Sequence, residues 1–307
     1  MIPVLFFVIL ITFVLMHQAP GGPWDREGRQ LSPAVVNNLN IKYGLDKPLP
    51  TQFWLYVWGA AHFDFGDSLQ SPGQHVSTLL LESWPYTMTL GAVTFVLLVP
   101  IGIGLGVIAA MRQNSIADYS AIGFATVTAS TPNFVVGLFL IILLSLGLNR
   151  LTGGTFYLPT GGLPEPYNPF QLQLIMPVIT LGALPTAFIA RLTRSSTLET
   201  LRQDYVRTAW AKGLKPRLVV MRHVLKNSLI PVVTALGPTF AFLVTGSFIV
   251  ETVFAIPGIG RSFVTSIESR DYTMILGTTL LYAGLIALMN LVVDVLYVFI
   301  DPRVRLT

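Results

Sequence analysis

The chain has no cysteine. Disulfides, thiolate metal sites and thiol catalysis are excluded together, and any exported loop must hold itself by packing alone. Charge is nearly as scarce: Asp, Glu, Lys and Arg make up 11% of 307 residues, against 52% apolar ones. No Gly-Lys dipeptide occurs, which excludes a phosphate-binding loop of the Gly-x-x-x-x-Gly-Lys-Ser/Thr kind. His17, His62, His75 and His223 are scattered, with no His-Glu-x-x-His and no pair at i, i+4, so no metal site is expected. Paired carboxylates are missing from the apolar stretches as well, and no catalytic residue is expected.

What the chain has is uncharged length. Ser83 to Met111 and Tyr119 to Asn149 carry no charge at all. A helical crossing needs roughly 20 apolar residues, and a charge at its centre costs about 2.5 to 3.5 kcal/mol. Six spans are expected: Ile2 to Met16, Thr87 to Met111, Tyr119 to Leu148, Leu174 to Ile189, Leu229 to Val250 and Met274 to Ile300. The first is short and lacks a basic start. A secretory signal peptide is its rival, but the basic leader is missing and Gln18-Ala19-Pro20 is a poor cleavage site.

Nine of the 19 Lys and Arg residues fall between Arg191 and Lys226. Cations of short loops stay cytoplasmic, so this segment is expected inside, with Arg112 in a second inner turn. Arg303 and Arg305 then lie in a cytoplasmic tail, 150–173 lies outside, and both termini face the cytoplasm. The net charge of +4 sorts by membrane side without interleaved aromatics, which argues against nucleic acid. The expected organisation is a first transmembrane helix at 1–16, an external loop subdomain at 17–86, and a five-helix core at 87–300. That core contains a cytoplasmic segment at 191–227, and 301–307 is the tail.

Within the external loop, Ser32-Pro33-Ala34 reads as a helix start and Pro50 to Trp58 as a second, amphipathic helix. Trp54, Tyr56, Trp58 and Trp84 suit a membrane interface. Pro132, Pro185, Pro231 and Pro238 lie in or beside spans, where proline permits kinks. Asp294 is the one clear charge within a span and a candidate for a water-filled path, although its nearness to Asp301 fits partial hydration equally. In the basic segment, Ala209 and Ala211 would let a short helix approach another protein closely, and Gly213 would turn the chain back.

Four separated segments carry a resemblance. They are Asp204 to Leu214 (Asp-Tyr-Val-Arg-Thr-Ala-Trp-Ala-Lys-Gly-Leu) continued by Arg222 to Pro231, then Glu251 to Gly260, then Arg270-Asp271-Tyr272, then Asn290 to Asp294 through Asp301 to Arg305. In order and spacing they resemble the membrane subunits of peptide-importing ABC transporters. Ala19-Pro20-Gly21 and Lys42 to Pro48 resemble the B-type subunit of the oligopeptide permease in particular, so the likeness covers essentially the whole chain. The general importer motif Glu-Ala-Ala is met here by Arg207-Thr208-Ala209, as in peptide permeases.

The resemblance implies an all-α polytopic membrane protein, a type I ABC importer permease lining half of a translocation path. It implies a heterodimer with a second permease subunit, two cytoplasmic ATPase subunits carrying ATP and Mg, an external solute-binding protein, and a peptide substrate. Relatives carrying glutathione or nickel chelates keep the solute open. Arg207, Thr208, Ala209, Ala211, Lys212 and Gly213 would couple to the ATPases. Glu251, Pro257, Gly258 and Gly260 are candidates for an outer gate, and Asn133, Phe134, Asn290 and Asp294 for the path. A stand-alone secondary transporter would show inverted repeats and midplane charges, which are not found. An intramembrane hydrolase would need a nucleophile and base on facing helices.

Overall fold

A computed structural model describes residues 2–25, 31–162 and 171–300, apart from the side chains of 293, 294 and 296–300. Its helices are α1 (Ile2–Gln18), α2 (Pro33–Tyr43), α3 (Leu49–Ala61), α4 (Val76–Met111) and α5 (Ile116–Ser130). Then come α6 (Asn133–Leu140), a π-helical stretch Ile141–Gly147, α7 (Leu148–Leu151), α8 (Ile175–Leu201) and α9 (Asp204–Ala211). The chain continues as α10 (Pro216–Leu218), a second π stretch Val219–Leu225, α11 (Lys226–Ser228), α12 (Ile230–Thr245), α13 (Phe248–Val253), α14 (Ile259–Ser269) and α15 (Tyr272–Ile300). Among the described residues the only extended pairing is an isolated bridge between Asp67 and His75.

Among the described residues five helical stretches are long and apolar enough to cross a membrane: Val76–Met111, Asn133–Leu151, Leu172–Leu201, Ile230–Val253 and Tyr272–Val292. The first expected span is the shorter apolar helix α1, which at 1.5 Å per residue is about 26 Å long. The second span begins earlier than expected, at Val76, so the end of the loop subdomain assigned to 17–86 is already helix. The expected third span is two helices rather than one. Thr131 precedes proline, is held extended at φ −105° and ψ 123°, and ends α5 before α6 starts afresh at Asn133. The fourth runs on to Leu201, because Thr and Ala continue its buried face, and so takes Arg191 and Arg194 into the helix. The fifth is broken at Gly246 and resumes as α13 after Ser247, whose Oγ accepts from the Val250 N–H.

Small residues set the centre of the bundle. A Cβ on Gly102 would lie 2.8 Å from the Thr186 carbonyl oxygen, and one on Gly106 would lie 2.5 Å from that of Ala190 and 2.6 Å from Thr193 Cβ. Helices α4 and α8 therefore run parallel with their backbones in near contact along a Gly-x-x-x-Gly stripe, the packing that lipid-embedded helices favour. Helix α12 crosses α4 antiparallel, with Phe95 and Phe240 edge to face at 5.0 Å. Leu90, Met176, Leu181, Leu243 and Phe254 close this core. A second cluster joins Ile9, Phe13 and Met16 of α1 to Phe53 of α3 and Ile275 and Leu276 of α15.

Candidate functional site

Helix α9 leaves the bundle just beyond α8 and is covered by its own chain on one side only. Val206 and Ala209, one turn apart, are buried against Val219 and Val224 of the returning π stretch, with Leu201 and Leu214 at the edge. Tyr205, Arg207, Thr208, Trp210, Ala211, Lys212 and Gly213 are exposed. The expectation for Ala209 is thus corrected: its small side chain allows close approach of the chain to itself, and the surface free for another protein is the opposite face.

The expected turn at Gly213 is present, at φ +73°. Its N–H donates to the Trp210 carbonyl at 2.9 Å and that of Leu214 to the Ala209 carbonyl at 3.4 Å, the paired bonds of a Schellman C-cap. No atom lies within 4 Å of where a Gly213 Cβ would stand, so left-handed φ alone requires glycine here. The returning segment is tied to α8: Ser196 Oγ donates to the Ser228 carbonyl at 2.7 Å, and Thr197 and Ser228 meet at 3.3 Å. Close by on α8, Arg194 forms a bidentate pair with the buried Asp118 near the start of α5, with Nη2 at 2.8 Å. Asp118 also accepts from the Asn114 N–H at 2.9 Å. The guanidinium holds the Asp118 carboxyl below the usual carboxylate range.

At the other end of the bundle, Glu251 on α13 is fully buried. Its carboxylate accepts from Thr87 Oγ1 of α4 at 3.1 Å and from the backbone N–H groups of Gly260 at 2.8 Å and Arg261 at 3.2 Å. Thr87 Oγ1 accepts in turn from the Ile259 N–H at 2.9 Å. Glu251 and Thr87 thus cap α14 from outside its own sequence, where Gly258 has no side chain to offer. A Cβ on Gly258 would collide with the Glu251 carboxylate and the Thr87 hydroxyl, and one on Gly260 would lie 2.6 Å from Phe248 Cα. Pro257 is exposed. Of the four residues expected at a gate, three therefore form one clasp that fastens α13 and α14 to α4.

Of the residues expected along the path, the three whose side chains are described do not converge within this chain. Asn133 and the exposed Phe134 open α6, which packs on α8 and α13, whereas the exposed Asn290 lies on α15, which packs on α12, α1 and α14. The side chain of Asp294 lies outside the described residues, as does the tail 301–307. Among the described residues no group of three His, Cys, Asp or Glu side chains could hold a metal.

The sequence displays Arg270-Asp271-Tyr272 as a motif but does not disclose its task. Asp271 N-caps α15, accepting from the Met274 N–H at 3.2 Å, and also accepts from Ser68 Oγ and from the Leu69 N–H at 3.1 Å. The bonding roles of Thr87 and Asp118 are invisible in the sequence, since their partners are 164 and 76 residues away.

Comparison with known proteins places these features in context. Residues 102–306 match the family described as binding-protein-dependent transport system inner membrane component, and residues 1–91 match the N-terminal region of such membrane components. The chain is 41% identical over 299 residues to the dipeptide transport system permease protein DppB of Bacillus subtilis, covering 97% of this chain and 93% of that one. It is 41% identical over 304 residues to the oligopeptide transport system permease protein OppB of Salmonella typhimurium, covering 99% and 96%. Two solved structures share the fold: an amino acid ABC transporter with histidines (TM-score 0.52, 18% identity, 74% of this chain and 95% of that one) and an inward-facing methionine ABC transporter (TM-score 0.53, 19% identity, 73% and 96%).

Proposed function

The chain belongs to the inner-membrane components of binding-protein-dependent transport systems, and from that premise we propose that it is one of two permease subunits of an ATP-driven peptide importer. The observation that carries the substrate class is the identity, sustained over almost the full length, to permeases of a dipeptide and an oligopeptide system. In this reading the chain performs no chemistry. It lines half of the path beside a second permease subunit, two cytoplasmic ATPases bind and hydrolyse ATP with Mg, and an external solute-binding protein delivers the peptide.

The end of the bundle carrying α9 faces the cytoplasm, together with both chain termini. The basic residues concentrated there support this orientation. The exposed face of α9, with Arg207, Thr208, Trp210, Ala211 and Lys212, is the docking surface for an ATPase subunit. Its support is mechanical: α9 is fixed to α8 through Val206, Ala209 and Ser228, so a displacement imposed on α9 moves a transmembrane helix. Partner closure would then bias the subunit between inward- and outward-open arrangements. The α13–α14 clasp stands at the external end, where it would close the path.

Reconstitution of the chain with a second permease, its ATPases and a binding protein tests the proposal. ATP-dependent accumulation of a labelled dipeptide and oligopeptide mixture is expected, with glutathione and a nickel chelate as comparison solutes. Uptake driven by an ion gradient in vesicles that contain no ATPase would overturn it.

A further inference from the structure

We propose that a cavity between the loop helices and the ends of α1 and α15 binds the headgroup of a membrane aminophospholipid. The cavity measures about 370 Å³, toward the small end of the roughly 300 to 1,000 Å³ typical of ligand pockets. Phe13 and Met16 from the last turns of α1, and Leu276 from the start of α15, form its apolar floor, which sets it at the depth where two membrane helices emerge. Lys42, Lys47 and Asp64 stand around it and are exposed.

The charges at this mouth are unspent. Neither lysine has a carboxylate at ion-pair distance among the described residues; Lys42 rests over the Tyr43 ring, with Nζ 5.1 Å from its centroid. Asp64 uses Oδ1 to accept from the Gly66 N–H at 2.9 Å and leaves its other oxygen free among them. The inner wall includes Tyr56, whose buried hydroxyl has no hydrogen-bond partner among the described residues. Two ammonium groups and a phenol suit a phosphodiester, and a carboxylate suits an ammonium. Phosphate and ammonium on an apolar stem together define an aminophospholipid.

The surroundings favour lipid over a soluble zwitterion. Helix α3 contains no charged residue, and its outer face presents Trp54 at 60%, Leu55 at 51% and Trp58 at 70% exposure, the pattern of a helix seated in the interfacial layer. Leu55 belongs both to that face and to the cavity wall, so the cavity opens sideways onto the surface that acyl chains would cover.

The test uses the full-length chain, purified with the subunits that co-elute, stripped of lipid and titrated in detergent with phosphatidylethanolamine or phosphatidylglycerol while bound lipid is read by native mass spectrometry. Phosphatidylethanolamine should bind preferentially. The double variant Lys42→Gln/Lys47→Gln should retain both lipids about tenfold less. Asp64→Asn should erase the preference for ethanolamine while still binding phosphatidylglycerol. Circular dichroism and elution volume would show that the variants remain folded. Soluble phosphoethanolamine competing as well as the lipid would assign the cavity to a free phosphate ester, and a labelled tripeptide competing there would assign it to peptide. Either result, or equal lipid retention by the double variant, overturns the proposal.

Discussion

A carboxylate removed from water must find donors, and Glu251 finds three, one on α4 and two at the start of α14. Replacing it with Gln keeps the shape but can turn an amide NH2, which only donates, toward the Gly260 and Arg261 N–H groups, which also only donate. Glu251→Gln should lower stability by about 1 to 3 kcal/mol, read as a reduced melting temperature of the purified protein, and should reduce uptake with it. Gly258→Ala should act in the same direction by driving a methyl group into the same carboxylate; uptake and melting temperature both unchanged in either variant would refute the clasp. The Asp118–Arg194 pair makes a pH-dependent counterpart. Because the folded Asp118 carboxyl sits below its ordinary value of about 3.9, the stability it contributes is complete above that value and is lost as the pH falls from there through the folded pKa. Asp118→Asn should therefore melt lower than wild type at pH 7, with the gap narrowing below about pH 4. A gap of constant width from neutral to acid would count against the pairing. The sequence advertised Glu251 and its glycines as one motif, yet hid Thr87 and Asp118, since a lone Thr or Asp carries no sign of a partner many turns away.

Among the elements, the basic segment was the most legible and the most instructive in its one error. Charge density located it, and Gly213 announced the turn through the positive φ that glycine accommodates. Composition could not tell which face of α9 its alanines occupy. With Ala209 inside, two substitutions that sequence position alone would treat alike should now separate. Gly213→Ala strains one exposed turn by roughly 1 to 2 kcal/mol and should weaken ATPase co-purification while the segment stays folded. Ala209→Asp buries a carboxylate beside Val206, Val219 and Val224 and should unfold the segment locally, detected as new protease cleavage between α8 and α12. Equal protease resistance in both variants would show that Ala209 is not packed as described. Helix ends were legible where local chemistry sets them, as at Pro33 behind Ser32. They were misjudged where tertiary packing extends a helix, as at Val76 and Leu201, or where proline divides an apolar run, as at Thr131.

For the whole molecule, hydropathy told the class and the approximate number of crossings, because the bilayer imposes one length scale on every span. It could not tell which helices touch, since lipid and core select the same apolar residues. Contact order within the bundle was written instead in small residues: Gly102 and Gly106 let α4 lie against α8. Gly106→Leu should separate this parallel pair and sharply lower the yield of monodisperse protein, whereas Gly104→Leu, at a position with nothing within 4 Å of its Cβ, should be tolerated. Equal size-exclusion profiles for the two would place the helix contact elsewhere. The Asp271 cap also gives the molecule a timetable. Ser68 and Asp271 are 203 residues apart, and at the usual pace of synthesis, about 5 to 20 residues per second, the first waits roughly 10 to 40 s for the second to be made. Throughout that interval the stretch from Ser68 to Gln70 has no carboxylate to bind. The loop at the beginning of the chain can reach its final form only when the last helix arrives, so a nascent chain stalled before Asp271 lacks the contact that ties its first loop to its last helix.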